Sequence, residues 1–156
     1  MEPNRRDWLA PAEKELVLVD MDGTLSDVSH RVHHVRGRGK KNWRAFFRGM
    51  VHDPPNEVIA DWVRNLKPEY TVVILSGRPS DYAPQTVQWL ERHHIPFDHL
   101  LMRPAGDHRP DHIVKKELMD TLPRERIAFV IDDRSSVCRM WRSEGLRCFQ
   151  IAEGDF

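Results

Sequence analysis

Asp20 and Asp22 stand two positions apart, directly after the apolar run Leu16 to Val19. In an extended chain such side chains project to the same side, so one carboxylate can attack phosphorus while the other handles a proton. Gly23 permits a sharp turn that brings backbone amides and the Thr24 hydroxyl to a phosphate. A lone Asp-x-Asp is common on protein surfaces. The full run Asp20-Met21-Asp22-Gly23-Thr24-Leu25 behind a buried strand is much more specific.

Two further acids, Asp132-Asp133, close the apolar run Ile127 to Ile131. Beside Asp20 and Asp22 they form the expected set for a hard-oxygen Mg2+ site, completed by water, a phosphate oxygen and the Met21-Asp22 backbone. Adjacent buried acids without a cation would repel each other; a surface loop carrying two acids is the alternative. Ser76 ends another run and offers a hydroxyl to a phosphoryl oxygen, although Ser-Gly after a strand is by itself usually only a turn. Lys115 and Lys116 open a helical pattern, where one of them could neutralise charge building on a phosphoryl group.

These residues need a frame that brings them together. The apolar runs are short and rich in Val, Ile and Leu, as parallel strands buried on both faces are: Leu16 to Val19, Thr71 to Leu75, Leu100 to Met102, Ile127 to Ile131 and Arg147 to Ile151. Between them run helical spacings over Asn56 to Leu66, Pro84 to His93, His112 to Leu122 and Ser135 to Glu144. The alternation predicts an α/β fold, a Rossmann-like open parallel sheet flanked by helices, with its ligand site at the carboxyl ends of the strands. Asp20, Ser76-Gly77-Arg78 and Asp132-Asp133-Arg134 all fall at such ends.

A chain of 156 residues has room for one domain. No apolar run approaches the ~20 residues of a membrane span, and Met1 to Glu15 lacks the apolar core of a secretory signal, so the expected place is the cytoplasm. Cys138 and Cys148 lack the spacing of a metal knuckle and read as two buried thiols. Net charge is zero, yet residues 28–52 contain no Asp or Glu and seven fixed cations, among them Arg31, Lys41 and Arg44, which leaves the remainder at −7. This segment, within a connection too long for an ordinary strand-to-helix loop, is expected to be a small basic cap-like insertion. Its Trp43, Phe46 and Phe47 could stack on a terminal base; packing as the apolar face of a short helix is the favoured reading.

The first motif, Asp20 to Leu25, resembles that of the haloacid dehalogenase (HAD) superfamily. The resemblance implies a HAD-type sheet, Asp20 as covalent nucleophile, Asp22 as general acid and base, and Thr24 holding the turn. Ser76 matches the second motif and Asp132-Asp133 the fourth. A closer similarity rests on Ser76-Gly77-Arg78, Asp111-His112-Ile113-Val114-Lys115, Ile131-Asp132-Asp133-Arg134, Met140-Trp141-Arg142 and Gly154-Asp155-Phe156. These look like the 3′-phosphatase domain of phage-type polynucleotide kinase/phosphatase. That likeness implies phosphate-binding roles for Arg31 and Arg78, with Arg134 a further candidate, and favours Lys115 over Lys116. Asp111 matches a functional acid of the subfamily; it either orients Lys115 or an arginine, or caps the helix it opens. Arg31 and its fellows could instead be simply exposed.

Removal of a terminal 3′-phosphate from RNA or DNA is therefore the expected reaction, with 2′-phosphate and 2′,3′-cyclic ends as further candidates. No G-x-x-x-x-G-K-[ST] occurs, so a separate kinase or ligase is the expected partner. A phosphatase of small phosphorylated metabolites and a catalytically silent module that binds nucleic-acid ends are the alternatives.

Overall fold

The computed structural model describes residues 14–154. Five strands, β1 (Leu16–Val19), β2 (Thr71–Pro79), β3 (His99–Arg103), β4 (Ile127–Asp132) and β5 (Cys148–Gln150), form one sheet in the order β3-β2-β1-β4-β5. Every pairing is parallel. The connections carry α1 (Trp43–Arg48), α2 (Glu57–Leu66), α3 (Ala83–Arg92), α4 (Asp111–Met119) and α5 (Ser135–Ser143). Among the described residues no helix is long and apolar enough to cross a membrane.

The period of two in a strand sorts β1 onto two cores. Val17 and Val19 pack with Ile59, Ala60 and Val63 of α2 and with Ala83, Trp89 and Leu90 of α3. Leu16 and Leu18 pack on the other face, with Val114, Leu118 and Met119 of α4 and Val137, Met140 and Trp141 of α5. All four residues of β1 are fully buried, the reason its sequence reads as an unbroken apolar run. Helix α4 stops earlier than its apolar spacing predicts. Past Met119 the chain turns, the Thr121 hydroxyl donates to the Leu118 carbonyl at 2.7 Å, and Pro123 precedes a 3-10 turn over Arg124–Arg126.

Residues 28–52 build their own small core. A 3-10 turn (Val32–His34), α1 and a second 3-10 turn (Gly49–His52) enclose Val28, Val35 and Phe46, with Val32 and Phe47 against them. The Asn42 side chain caps α1 by accepting from the Ala45 N–H at 3.1 Å. Both ends of the segment are tied at one place: the Asp27 N–H donates to the Pro54 carbonyl at 2.9 Å and the Asn56 N–H to the Leu25 carbonyl at 2.8 Å. A satellite core fastened at its two ends can open without the main sheet. Phe46→Ala should therefore admit limited proteolysis within 28–52 at protease levels the parent chain resists. Leu18→Ala, in the main core, should lower global stability to urea by about 2–5 kcal/mol; equal global losses for both variants would contradict a separate satellite core.

Candidate active site

Parallel register places the acids side by side. Val19 pairs with Ile74 on one flank and Ile131 on the other, and the Asp20 N–H donates to the Ile131 carbonyl at 3.0 Å. Asp20 thus follows β1 and Asp132 ends β4, with Asp133 next, where the chain turns into α5; Ser76 lies within β2, which runs on to Pro79 past the end its apolar run predicts, beside the register shift between Ser76 and Pro79. Carboxylate oxygens of Asp20, Asp132 and Asp133, all buried, lie within 4.8 Å of one another.

Lys115 enters this cluster from α4. Its Nζ donates to Asp20 Oδ1 at 2.7 Å and to Asp132 Oδ2 at 3.0 Å. Lys116, one residue on, is half-buried outside the cluster and pairs with Asp120 at 2.9 Å, so helix geometry separates the two lysines that spacing left open. The Thr24 hydroxyl lies 3.0 Å from Asp20 Oδ2 and 3.1 Å from Asp133 Oδ1, one proton shared between two acids. Asp132 also accepts from Trp141 Nε1 at 3.1 Å and from the Asp133 N–H at 2.8 Å. Gly23, at φ +85°, faces Asp133 so closely that a Cβ would collide with that carboxylate, and the same holds for Gly154. Asp155 and Phe156, the rest of the Gly-Asp-Phe ending, lie outside the described residues.

The cluster carries three acids against one ammonium. Burial pushes the Asp20 carboxyl well up and Asp132 adds to it, against the pull of Lys115. Burial likewise raises Asp133, to about 6. Burial disfavours the Lys115 ammonium, yet Asp132 and Asp20 hold its pKa well above the usual lysine value. A set of buried hard oxygens with this much uncompensated charge fits a divalent cation.

The structure brings three of the four expected metal carboxylates together and sets Asp22 apart. Four hydrogen bonds converge on Asp22 Oδ1: from Arg31 Nη2 at 2.6 Å, from Arg78 Nε at 3.1 Å and Nη2 at 2.7 Å, and from Ser26 Oγ at 3.3 Å. Burial would raise this carboxyl, but Arg78 and Arg31 hold it well below the usual carboxylate range. Two buried guanidinium groups neutralise the Asp22 carboxylate, where the acid cluster would have added three like charges.

The same arrangement places the two arginines expected as phosphate forks on Asp22 and Asp53. Arg31 and Arg78 are neither exposed nor part of the cleft lining; they are 1% and 0% exposed and reach the site through Asp22. Arg31 forks Asp53, with Nε to Oδ1 at 2.7 Å and Nη2 to Oδ2 at 2.6 Å, and its Nη1 donates to the Phe46 carbonyl at 3.0 Å. Arg78 Nη1 donates to Thr86 Oγ1 at 3.0 Å. Buried Asp53, which also meets His30 Nε2 at 2.6 Å, is the functional residue that the sequence reading missed. Its one visible signal is position: it is the first acid after the acid-free stretch 28–52.

Ser76 is buried, and its Oγ accepts from the Arg78 N–H at 3.1 Å. Asp111 opens α4 but makes no capping bond. Its Oδ1 accepts from Arg103 Nη2 at 3.0 Å, while Oδ2 lies 3.4 Å from Arg134 Nη1 and 3.9 Å from Lys115 Nζ. Geometry therefore places it among cations rather than on backbone amides. A cleft of about 790 Å³ is lined by Asp20, Asp22, Lys115 and Asp133, by residues of 28–52 and by the stretch between β3 and α4, with Arg134 on its wall.

A sequence model of the polynucleotide kinase PNKP phosphatase domain matches residues 14–156. The chain belongs to this phosphatase-domain family. Its fold is of the HAD type. Two solved structures are similar over nearly the whole chain. A chain of the "Pnkp1/Rnl/Hen1 complex" is 36% identical, with a TM-score of 0.77 over 92% of this chain and 47% of that one. A chain of the "Pnkp1/Rnl/Hen1 RNA repair complex" is 34% identical, with a TM-score of 0.74 over 97% and 48%. This chain spans about half the length of those it matches. A HAD family enzyme from Bacteroides thetaiotaomicron, solved with magnesium and inorganic phosphate, shares the fold at 13% identity and a TM-score of 0.55, over 92% of this chain and 96% of its own.

Asp53→Ala strands the Arg31 guanidinium in the interior with its fork unmet. Stability to urea should fall by about 3–5 kcal/mol. A loss under about 0.5 kcal/mol would show that Asp53 does not anchor Arg31.

Proposed function

We propose that the chain is a Mg2+-dependent phosphohydrolase that removes a terminal 3′-phosphate from RNA or DNA through an aspartyl-phosphate on Asp20. The observation that carries the proposal is the convergence of Asp20, Asp132 and Asp133 within 4.8 Å, with Lys115 on the nucleophile. Membership of a phosphatase-domain family supports the reaction class. Similarity to a chain from an RNA repair complex supports nucleic-acid ends as substrate, with a kinase or ligase as the class of partner. Ends with a 2′-phosphate or a 2′,3′-cyclic phosphate and a cytoplasmic location belong to the same reading.

Asp20, Asp132 and Asp133 would hold the cation, which supplies neutralisation of the phosphoryl charge. An Asp20 carboxylate oxygen attacks phosphorus in line, and the bond from phosphorus to the 3′ oxygen breaks. The departing oxygen takes a proton from Asp22. Water then attacks the acyl-phosphate phosphorus and gives its proton to Asp22, freeing inorganic phosphate and Asp20. The second step suits Asp22 as the arginines hold it, ionised and ready to accept. For the first it must take up a proton, which the monoanionic phosphate ester, with a second pKa of about 6, can bring. Lys115 offsets charge on Asp20, and the Ser76 O–H is free to donate because its oxygen accepts from Arg78. Arg31 and Arg78 orient Asp22. Arg134 and Asp111 lie at the cleft as candidate substrate contacts.

A metabolite phosphatase is less well supported, because the cleft is walled by a basic, aromatic segment. A silent binding module would need neither nucleophile nor proton carrier.

Asp20→Asn should cut turnover of a 3′-phosphorylated oligonucleotide by at least about 10³-fold; near-parent turnover would remove covalent catalysis by Asp20. Chelation should abolish activity and Mg2+ restore it. The cation should also raise the thermal midpoint at pH 7 more than at pH 4.5. Burial raises Asp133 to about 6, so protons occupy the ligand set at low pH and leave it as pH rises. Equal stabilisation at both values would count against these carboxylates as ligands.

A further inference from the structure

The aromatic residues of 28–52 divide between two jobs. Phe46 is buried in the satellite core, under Arg31, whose guanidinium carbon lies 4.3 Å from its ring centroid. Trp43 is not: it is 39% exposed and lines the same cleft as Asp20. Its ring stacks on Phe47 at 5.9 Å and 24°, and Phe47 meets Tyr82 at 5.4 Å and 35°. The three rings, from α1 and from the turn after β2, make a continuous aromatic shelf on the cleft.

The cleft is larger than a phosphate requires. At about 790 Å³ it falls in the upper part of the range for whole small-molecule ligands, ~300–1,000 Å³. The cations beside the shelf are also disposed for a ligand. Arg109 is taken up by Asp107 and Glu117, and Arg103 by Asp111. Exposed Lys41 and Arg44 have no acidic partner among the described residues. The Lys41 Nζ lies 5.6 Å from the Trp43 ring centroid, a loose contact that a flexible side chain gives up readily.

We infer that Trp43 is the stacking platform for the 3′-terminal base of a polynucleotide, with Lys41 and Arg44 meeting the phosphate that precedes it. The inference rests on the phosphatase reading and adds to it the residues that hold the nucleotide carrying the phosphate. An aromatic face offers area to any base, so the subsite is tolerant of sequence. The unpaired cations attract the backbone charge that a mononucleotide or sugar phosphate lacks. An exposed tryptophan stacked on a phenylalanine, beside two unpaired cations and a nucleophile, is more than packing requires.

The test compares two oligonucleotides that differ only at the 3′-phosphorylated terminal residue, one carrying a base and one abasic, with the parent chain and Trp43→Ala. In the parent, kcat/KM should favour the base-bearing substrate by about 5- to 140-fold, the range of a base-aromatic stack. In Trp43→Ala that ratio should collapse towards one, and Trp43→Phe should recover much of it. An unchanged ratio in Trp43→Ala, with the variant folded by its thermal midpoint, overturns the subsite. If the parent hydrolyses neither oligonucleotide while cleaving a small monoester, the proposed substrate fails instead, a result distinct from loss of the stacking ratio.

Discussion

The structure depends on burying three carboxylates together. Asp20, Asp132 and Asp133 crowd into 4.8 Å at the end of two paired strands with one ammonium among them, and acids so placed are costly unless charge or protons compensate. Each neighbouring feature eases that cost in a particular way. Lys115 bridges two of the acids, Trp141 and a backbone amide donate to Asp132, and Thr24 stands between the other two. Gly23 and Gly154 give Asp133 room that a side chain would deny it.

A second electrostatic assembly lies beside the first and is kept separate from it. Asp22 and Asp53 neutralise Arg31 and Arg78 in the interior. The result is one acid, Asp20, poised by a lysine, and another, Asp22, kept ionised by guanidinium groups. Two carboxylates two residues apart thereby stand in different charge environments, Asp20 beside an ammonium and two acids and Asp22 between two guanidinium groups. The basic segment is tied into this arrangement, since the Arg31 that holds Asp22 also packs on Phe46 and bonds its carbonyl. Folding of 28–52 and charging of Asp22 are in that sense one event.

The sheet was legible because buried parallel strands announce themselves as short branched-aliphatic runs, and each of the five lies where such a run occurs. The acids were legible for a related reason: a polar residue ending a buried strand has few purposes other than a site. Arg31 and Arg78 were less so. Their chemistry suits phosphate, and nothing local in the sequence told that Asp22 and Asp53 would take their donors first. Asp53 sits 22 residues from Arg31 in a Pro-flanked turn, and a buried ion pair of that separation leaves no periodic trace. Trp43, Phe46 and Phe47 read as one apolar face; three-dimensional packing buries Phe46 and leaves Trp43 on the cleft. Spacing left Lys115 and Lys116 open and the family likeness favoured Lys115; the phase of α4 relative to the sheet puts Lys115 in the acid cluster.

The most direct measurement is anomalous diffraction from a crystal soaked in Mn2+, a reporter for a Mg2+ site. The account predicts one strong peak among Asp20, Asp132 and Asp133, with a carboxylate oxygen of each at about the 2.0–2.1 Å of a Mg2+ site and Asp22 still on its two arginines. A soaked crystal with no peak there, or with the ion on Asp22 instead, would contradict it.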